Sequence, residues 1–219
     1  MIRCLFEQSG TFKNCFKELG YQAEDWDISN DFKETDRIVD LFEILDNKYE
    51  MFEWKDSELI IAFFPCIRFS TQFNLCIQCH NQGFKDWSFL KRVEYSAFME
   101  SQRSLYYQRL CRLISFCVEY KIPLIIENPY TNNYLLKTLP IKPAMIDNDR
   151  TVYGDTFKKP TMYFFINCEP QKNYKDLELK MFEEKNIKKV NDTPRGIERS
   201  LIEKDYVMNF IKEQIKGII

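Results

Sequence analysis

The chain has 219 residues, enough for one large domain and marginal for two. With 45% hydrophobic and 29% charged residues it has the composition of a globular protein, and its net charge of −2 excludes a generically sticky polyanion binder, although a local Lys/Arg strip would still serve nucleic acid. There is no charged-then-apolar leader pattern and no run near 18 apolar residues, so a cytoplasmic location is expected, with no membrane partner and with the 8 Cys reduced.

Residues 2–6 form a short apolar strand, and Thr11 to Leu19 a helix closed by Gly20. A second strand, 21–27, ends in Asp25-Trp26-Asp27. An amphipathic stretch with Ile38, Leu41, Phe42 and Leu45 follows, then the continuous apolar strand of residues 59–64. The longest helical pattern runs from Val93 to Tyr120, and Pro123 separates it from a buried strand at 124–127. A short helix at 134–139, a late aromatic strand at 161–167, a polar Lys/Glu-rich segment over 169–196 and a helix from Arg199 to Lys216 complete the chain. Continuous apolar strands alternating with helices predict an α/β fold, a mostly parallel sheet of six or seven strands with helices on both faces. The 6 glycines leave few positions for a positive φ, so any nucleotide loop must be a reduced one.

Four constellations stand at ends of these strands, where open α/β sheets bind ligands. Residues 5–12 join strand to helix through Ser9-Gly10, a turn that permits close ligand approach or is merely structural. At the end of the second strand Asp25 can accept both hydroxyls of a ribose and Trp26 can stack on an adenine; the alternative is a solvated strand end with a half-buried indole. Asp40-Leu41, at the next crossover, can contact a base edge. After the third strand, Pro65-Cys66 places a thiol near Arg68, which would lower its pKa and make it a nucleophile; the alternative is one more buried thiol among eight. Last, Glu127 and Asn128 close a buried strand, where a carboxylate needs a polar heterocycle as partner or serves as a helix cap.

In order, these segments resemble the motifs of the DNA cytosine-5 methyltransferases, over residues 2–130. The resemblance implies a Rossmann-type S-adenosylmethionine methyltransferase fold with S-adenosylmethionine as cofactor and DNA as partner. It assigns Phe6, Ser9 and Gly10 to the cofactor loop, Asp25 to the ribose, Trp26 to the adenine, and Asp40 with Leu41 to the base edge. Pro65 is assigned to the cofactor site beside the catalytic Cys66, and Glu127 is the catalytic carboxylate with Asn128 as a further catalytic residue. Residues 153–161 resemble a stretch of small phage-type members, and Arg195 to Leu201 the segment that returns to the cofactor.

Three departures accompany it. Gln8 stands where the family prefers Gly. The Gln-x-Arg-x-Arg motif is missing, with Arg150, Lys158 and Lys159 as nearby substitutes. Residues 131–195 form a reduced insert in place of a target-recognition domain, within a single domain of 1–219. These departures favour a second reading, a methyltransferase-like fold without catalysis that binds a host defence or nucleic-acid-processing protein. Methylation of RNA or free nucleotides is a third. Cys76, Cys79 and His80 have the spacing of half a zinc site, but the chain has 1 His and no second Cys-x-x-Cys, so no metal is expected.

Overall fold

The computed structural model describes residues 1–69, 84–130, 133–171 and 201–219. Seven strands make one sheet: β1 (Ile2–Leu5), β2 (Ala23–Asp27), β3 (Arg37–Ile38), β4 (Leu59–Ala62), β5 (Leu124–Pro129), β6 (Met145–Asp147) and β7 (Thr161–Ile166), in the spatial order β3-β2-β1-β4-β5-β7-β6. The first five are mutually parallel, and β7 runs antiparallel to both β5 and β6.

The apolar runs of β4 and β5 follow from burial on both sides. Ile60, Ala62, Leu124 and Ile126 point into one core and Leu59, Ile61 and Ile125 into the other. This strand alternation requires cover above and below. Helix α1 (Thr11–Glu18) covers one face together with α5 (Lys204–Phe210), which continues as a π-helical turn over Ile211–Ile215. Among the described residues, helices α2 (Leu41–Asp46), α3 (Phe89–Tyr120) and α4 (Asn133–Thr138) place Leu41, Leu110, Leu113 and Leu135 in the other core. At the start of α3 the Ser88 hydroxyl accepts from the Lys91 amide at 3.2 Å; the helix ends on Lys121 in the left-handed region, just before Pro123.

From β1 the chain steps outward to β2 and β3, then returns past β1 to lay β4 and β5 on the other side. The carboxyl ends of β1 and β4 therefore flank the point where the winding reverses, the place where such sheets open a crevice.

Some expectations need correction. Ile38 lies in the two-residue strand β3 and is largely exposed, while the helix after it begins at Leu41. Periodicity missed β3 and β6 because two or three residues cannot show a period. The late aromatic strand read over 161–167 is β7 and joins the sheet together with β6. Residues 199–200, where the last helix was expected to start, lie outside the described residues; residues 201–203 are not helical. Among the described residues no helix is long and apolar enough to cross a membrane.

Candidate functional site

A cavity of about 450 Å³ opens at the carboxyl ends of β1, β2, β4 and β5, within the range of small-molecule sites. Its first wall is the β1–α1 turn. Phe6 leaves β1 with φ 60°, an uncommon conformation for a residue with a side chain, while its amide donates to the Trp26 carbonyl at 2.8 Å. The twist turns the Phe6 ring toward Phe64 and Phe42, with centroids 5.2 and 5.6 Å away. Glu7, Gln8 and Ser9 line the cavity next. One Glu7 oxygen accepts from the Phe12 amide at 2.9 Å and the Ser9 hydroxyl at 3.1 Å, and the other from the Lys13 amide at 3.5 Å. Burial pushes the Glu7 carboxyl up to about 7 against the pull of the Phe12 amide, and the charge of Asp25 adds to the rise.

Gly10 is buried at the cap of α1 with φ 67° and does not line the cavity. A Cβ there would meet the Glu34 Cβ at 2.9 Å, so the position is closed to any side chain both by backbone and by space. Gln8, the bulky residue of the loop, is not among the residues with positive φ; Phe6 and Gly10 carry that strain instead.

The second wall departs from the sequence expectation. Asp25 is fully buried outside the cavity, where it accepts from the Lys13 ammonium at 3.0 Å and from the Asp36 amide at 2.7 Å. Trp26 is 3% exposed and packs edge-on against Trp54, 5.9 Å between centroids, with the Arg37 guanidinium 5.3 Å over its ring. Neither reaches the cavity, and register explains why. Leu5, the last residue of β1, pairs with Trp26, so Asp27 is the first residue of β2 beyond the end of its neighbour. Asp27 and Ile28 line the cavity in their stead, Ile28 being 66% exposed. Burial raises the Asp27 carboxyl although the Ser29 amide donates to it at 2.8 Å.

Asp40 and Leu41 lie where a base-edge contact was expected: both line the cavity, and Asp40 caps α2 by accepting from the Phe42 amide at 2.8 Å.

The third wall holds the reactive candidates. Residues 63–67 line the cavity directly after β4, with Pro65 and the half-buried Cys66 among them. The Cys66 carbonyl accepts from the Phe69 amide at 2.9 Å, which turns the chain back. Asn128, fully buried, does not line the cavity; it donates to the Phe64 carbonyl at 2.8 Å and so ties the end of β5 to the segment carrying Cys66. Arg68 is not among the lining residues. Its guanidinium lies on the Met99 sulfur at 3.3 Å and over the Tyr106 ring. Nothing in that placement supports the activation of Cys66 that proximity in sequence suggested.

Glu127 lines the cavity at 7% exposure, and its Oε1 is buried with no hydrogen-bond partner. The helix-cap alternative finds no support in this, because a capping oxygen would be bonded. Of the three substitute cations, Lys159 alone lines the cavity. Lys158 pairs with Asp149 at 3.1 Å, and Arg150 is fully buried against Asp155 and the Tyr206 ring. The partnership with Asp155 holds the Arg150 charge in place against the cost of burial.

Leu201 and Ile202 close the cavity from the carboxyl-terminal segment, so Leu201 is brought to the site as expected. Arg195, Ser70, Cys76, Cys79 and His80 lie outside the described residues. Among the described residues no group of three or more His, Cys, Asp or Glu side chains could hold a metal ion. Glu7 and Asp27 are the lining carboxylates that sequence reasoning passed over. The signals were present: an acid at the end of β1 four residues before a helix start, and an acid one residue past the Trp.

No model of a known protein family matches this chain, and no curated protein matches it either.

Proposed function

We propose that this chain is an S-adenosylmethionine-dependent methyltransferase of the cytosine-5 type, acting through Cys66 on a cytosine turned out of DNA. The observation that carries the reading is the convergence of Cys66, from the segment after β4, and Glu127, from β5, on one cavity in which the Glu127 Oε1 has no partner. A partnerless buried carboxylate oxygen is costly unless a ligand donor meets it, and a cytosine offers an amino group at N4. The mostly parallel sheet with its crevice at the winding reversal supports a Rossmann-type fold for the same function.

The residues present fit the cofactor. Asp27 offers a ribose acid in place of Asp25, and Ile28 with Phe6, Leu41 and Phe42 offers apolar surface for an adenine in place of Trp26. When bound, S-adenosylmethionine supplies an electrophilic methyl group. The chain's own residues do the rest. The Cys66 thiolate forms a bond to C6 of the ring, which makes C5 nucleophilic, and Glu127 holds the N3–N4 edge as charge develops there. Once C5 carries the methyl, loss of its proton to a base lets the sulfur–C6 bond break and returns the thiolate. Asn128 acts by fixing the Phe64 carbonyl, and with it the approach of Cys66.

A second reading rests on the placement of Arg68 and Arg150, neither of which lines the cavity. A fold that kept its cofactor pocket with Lys159 as the one substitute cation lining it, and with no arginine beside Cys66 to activate it, would serve as a binding module for a host protein.

DNA containing 5-fluorocytosine separates the two. Fluorine cannot leave C5 as a proton does, so the methylating enzyme is trapped as a covalent protein–DNA adduct in the presence of cofactor. Wild type is expected to form the adduct, and Cys66→Ser to lose it while retaining cofactor affinity in calorimetry. Cofactor binding without an adduct on DNA or RNA would replace the enzyme reading with the binding-module reading.

A further inference from the structure

The β1–α1 turn fills its own anion site. The amides at the start of an eight-residue helix ordinarily attract a phosphate. Here Glu7 takes those of Phe12 and Lys13, at 2.9 and 3.5 Å, while lining the cavity itself. Asp27, Asp40 and Glu127 line the same space, against Lys159 as the single cation among the described lining residues. The buried, partnerless Oε1 of Glu127 is an independent sign that this space is shaped around a ligand donor.

We propose that Glu7 sets the charge selectivity of the cavity, excluding phosphate-bearing nucleotides and favouring an adenosine ligand that carries a sulfonium cation over its neutral thioether counterpart. The proposal rests on the cofactor reading above and names the residue that tunes it. A carboxylate held by backbone amides stays in place, and in a half-dry cavity its field acts over several ångströms. It repels the multiple charges of a phosphate, which would also find the helix amides already occupied. It attracts a fixed positive charge and is indifferent to a neutral sulfur.

The groups around Glu7 are Lys13 and Cys15 on α1, Cys4 on β1 and Asp25 on β2. Asp27, Asp40, Glu127 and Lys159 share the cavity with it. Of these, Asp25 is already paired with Lys13, and burial raises the Cys4 and Cys15 thiols out of the neutral range. Glu7 itself ionises about pH 7, so its attraction for a cation switches on there.

The test is calorimetry of S-adenosylmethionine, S-adenosylhomocysteine and 5′-ADP with wild type between about pH 5.5 and 7.0, where α-amino groups stay largely protonated. The affinity ratio of sulfonium to thioether is expected to rise about fivefold or more across that interval, with ADP not binding. Glu7→Gln keeps an oxygen for the Phe12 amide and removes the charge, so its ratio should be flat with pH. A flat ratio in wild type overturns the proposal without needing the variant, as does a rising ratio in Glu7→Gln or ADP binding as tightly as the sulfonium. If both adenosyl ligands bind wild type equally, the role of Glu7 falls and the cofactor reading stands. If neither binds, both fall.

Discussion

The two sides of the cavity are built on opposite principles. Along the β1–α1 turn and the end of β2 every lining carboxylate is tied down: Glu7 by two amides and a hydroxyl, Asp27 by Ser29, Asp40 by Phe42. Behind them one Asp25 oxygen accepts from Lys13, while its other oxygen and the Gln8 Oε1 are buried without a partner. Across the cavity, at the ends of β4 and β5, Glu127 keeps one oxygen without a partner, and the support is indirect, through the Asn128 bond to the Phe64 carbonyl. A wall that binds a ligand of fixed shape gains from rigidity. A group that must meet charge appearing during a reaction is useful only if the protein leaves it unsatisfied beforehand.

The comparison breaks first at Lys13. Its ammonium is buried between Asp25 and Asp36, and Lys13→Met leaves the fully buried Asp25 without its counter-charge. Removing one partner of such a pair costs about 3–5 kcal/mol, so denaturant unfolding should show a loss of that size. A loss below about 1 kcal/mol would mean that the bonded wall is not held by this pair.

Glu7 gives the next effect. Its carboxyl is raised in the folded protein, so the stability it contributes is present below its unfolded value near 4.5 and is lost as pH rises through about 7. The difference amounts to about 3 kcal/mol at most. Asp147, raised by burial to about 6, acts in the same direction. Thermal unfolding between about pH 5 and 8 should therefore show stability falling toward alkaline pH, and Glu7→Gln should flatten the upper part of the profile. An unchanged profile in the variant would remove Glu7 as its source.

The smallest effect is expected across the cavity. Glu127→Gln removes a buried charge with a partnerless oxygen, so the folded protein should lose nothing and gain up to about 1 kcal/mol. A clear destabilisation would show that Glu127 is structural, and the contrast between the two walls would disappear.

How much of this was legible in the sequence follows from length and register. The apolar runs of β4 and β5 are long enough to show burial on both faces, and both end at the cavity, which Cys66 and Glu127 line. At β2 the sequence shows an acid–indole–acid triplet but not which residue overhangs the shorter β1. The pairing of Leu5 with Trp26 decides that, and moves the lining acid from Asp25 to Asp27. β3 and β6 were too short to read. Glu7 sat within a quoted motif yet escaped notice, because its importance lies in which amides it reaches after the turn at Phe6.

The placement of β7 has a consequence for biosynthesis. β5 lies between β4, made before it, and β7, made after it, and Glu127 pairs in register with Tyr163. Leu201 and Ile202 come later still. Residues 1–202 must therefore be made before the described cavity has all its walls, and until β7 is made that edge of β5 has no strand beside it. That edge is the part of the newborn protein with most need of a chaperone.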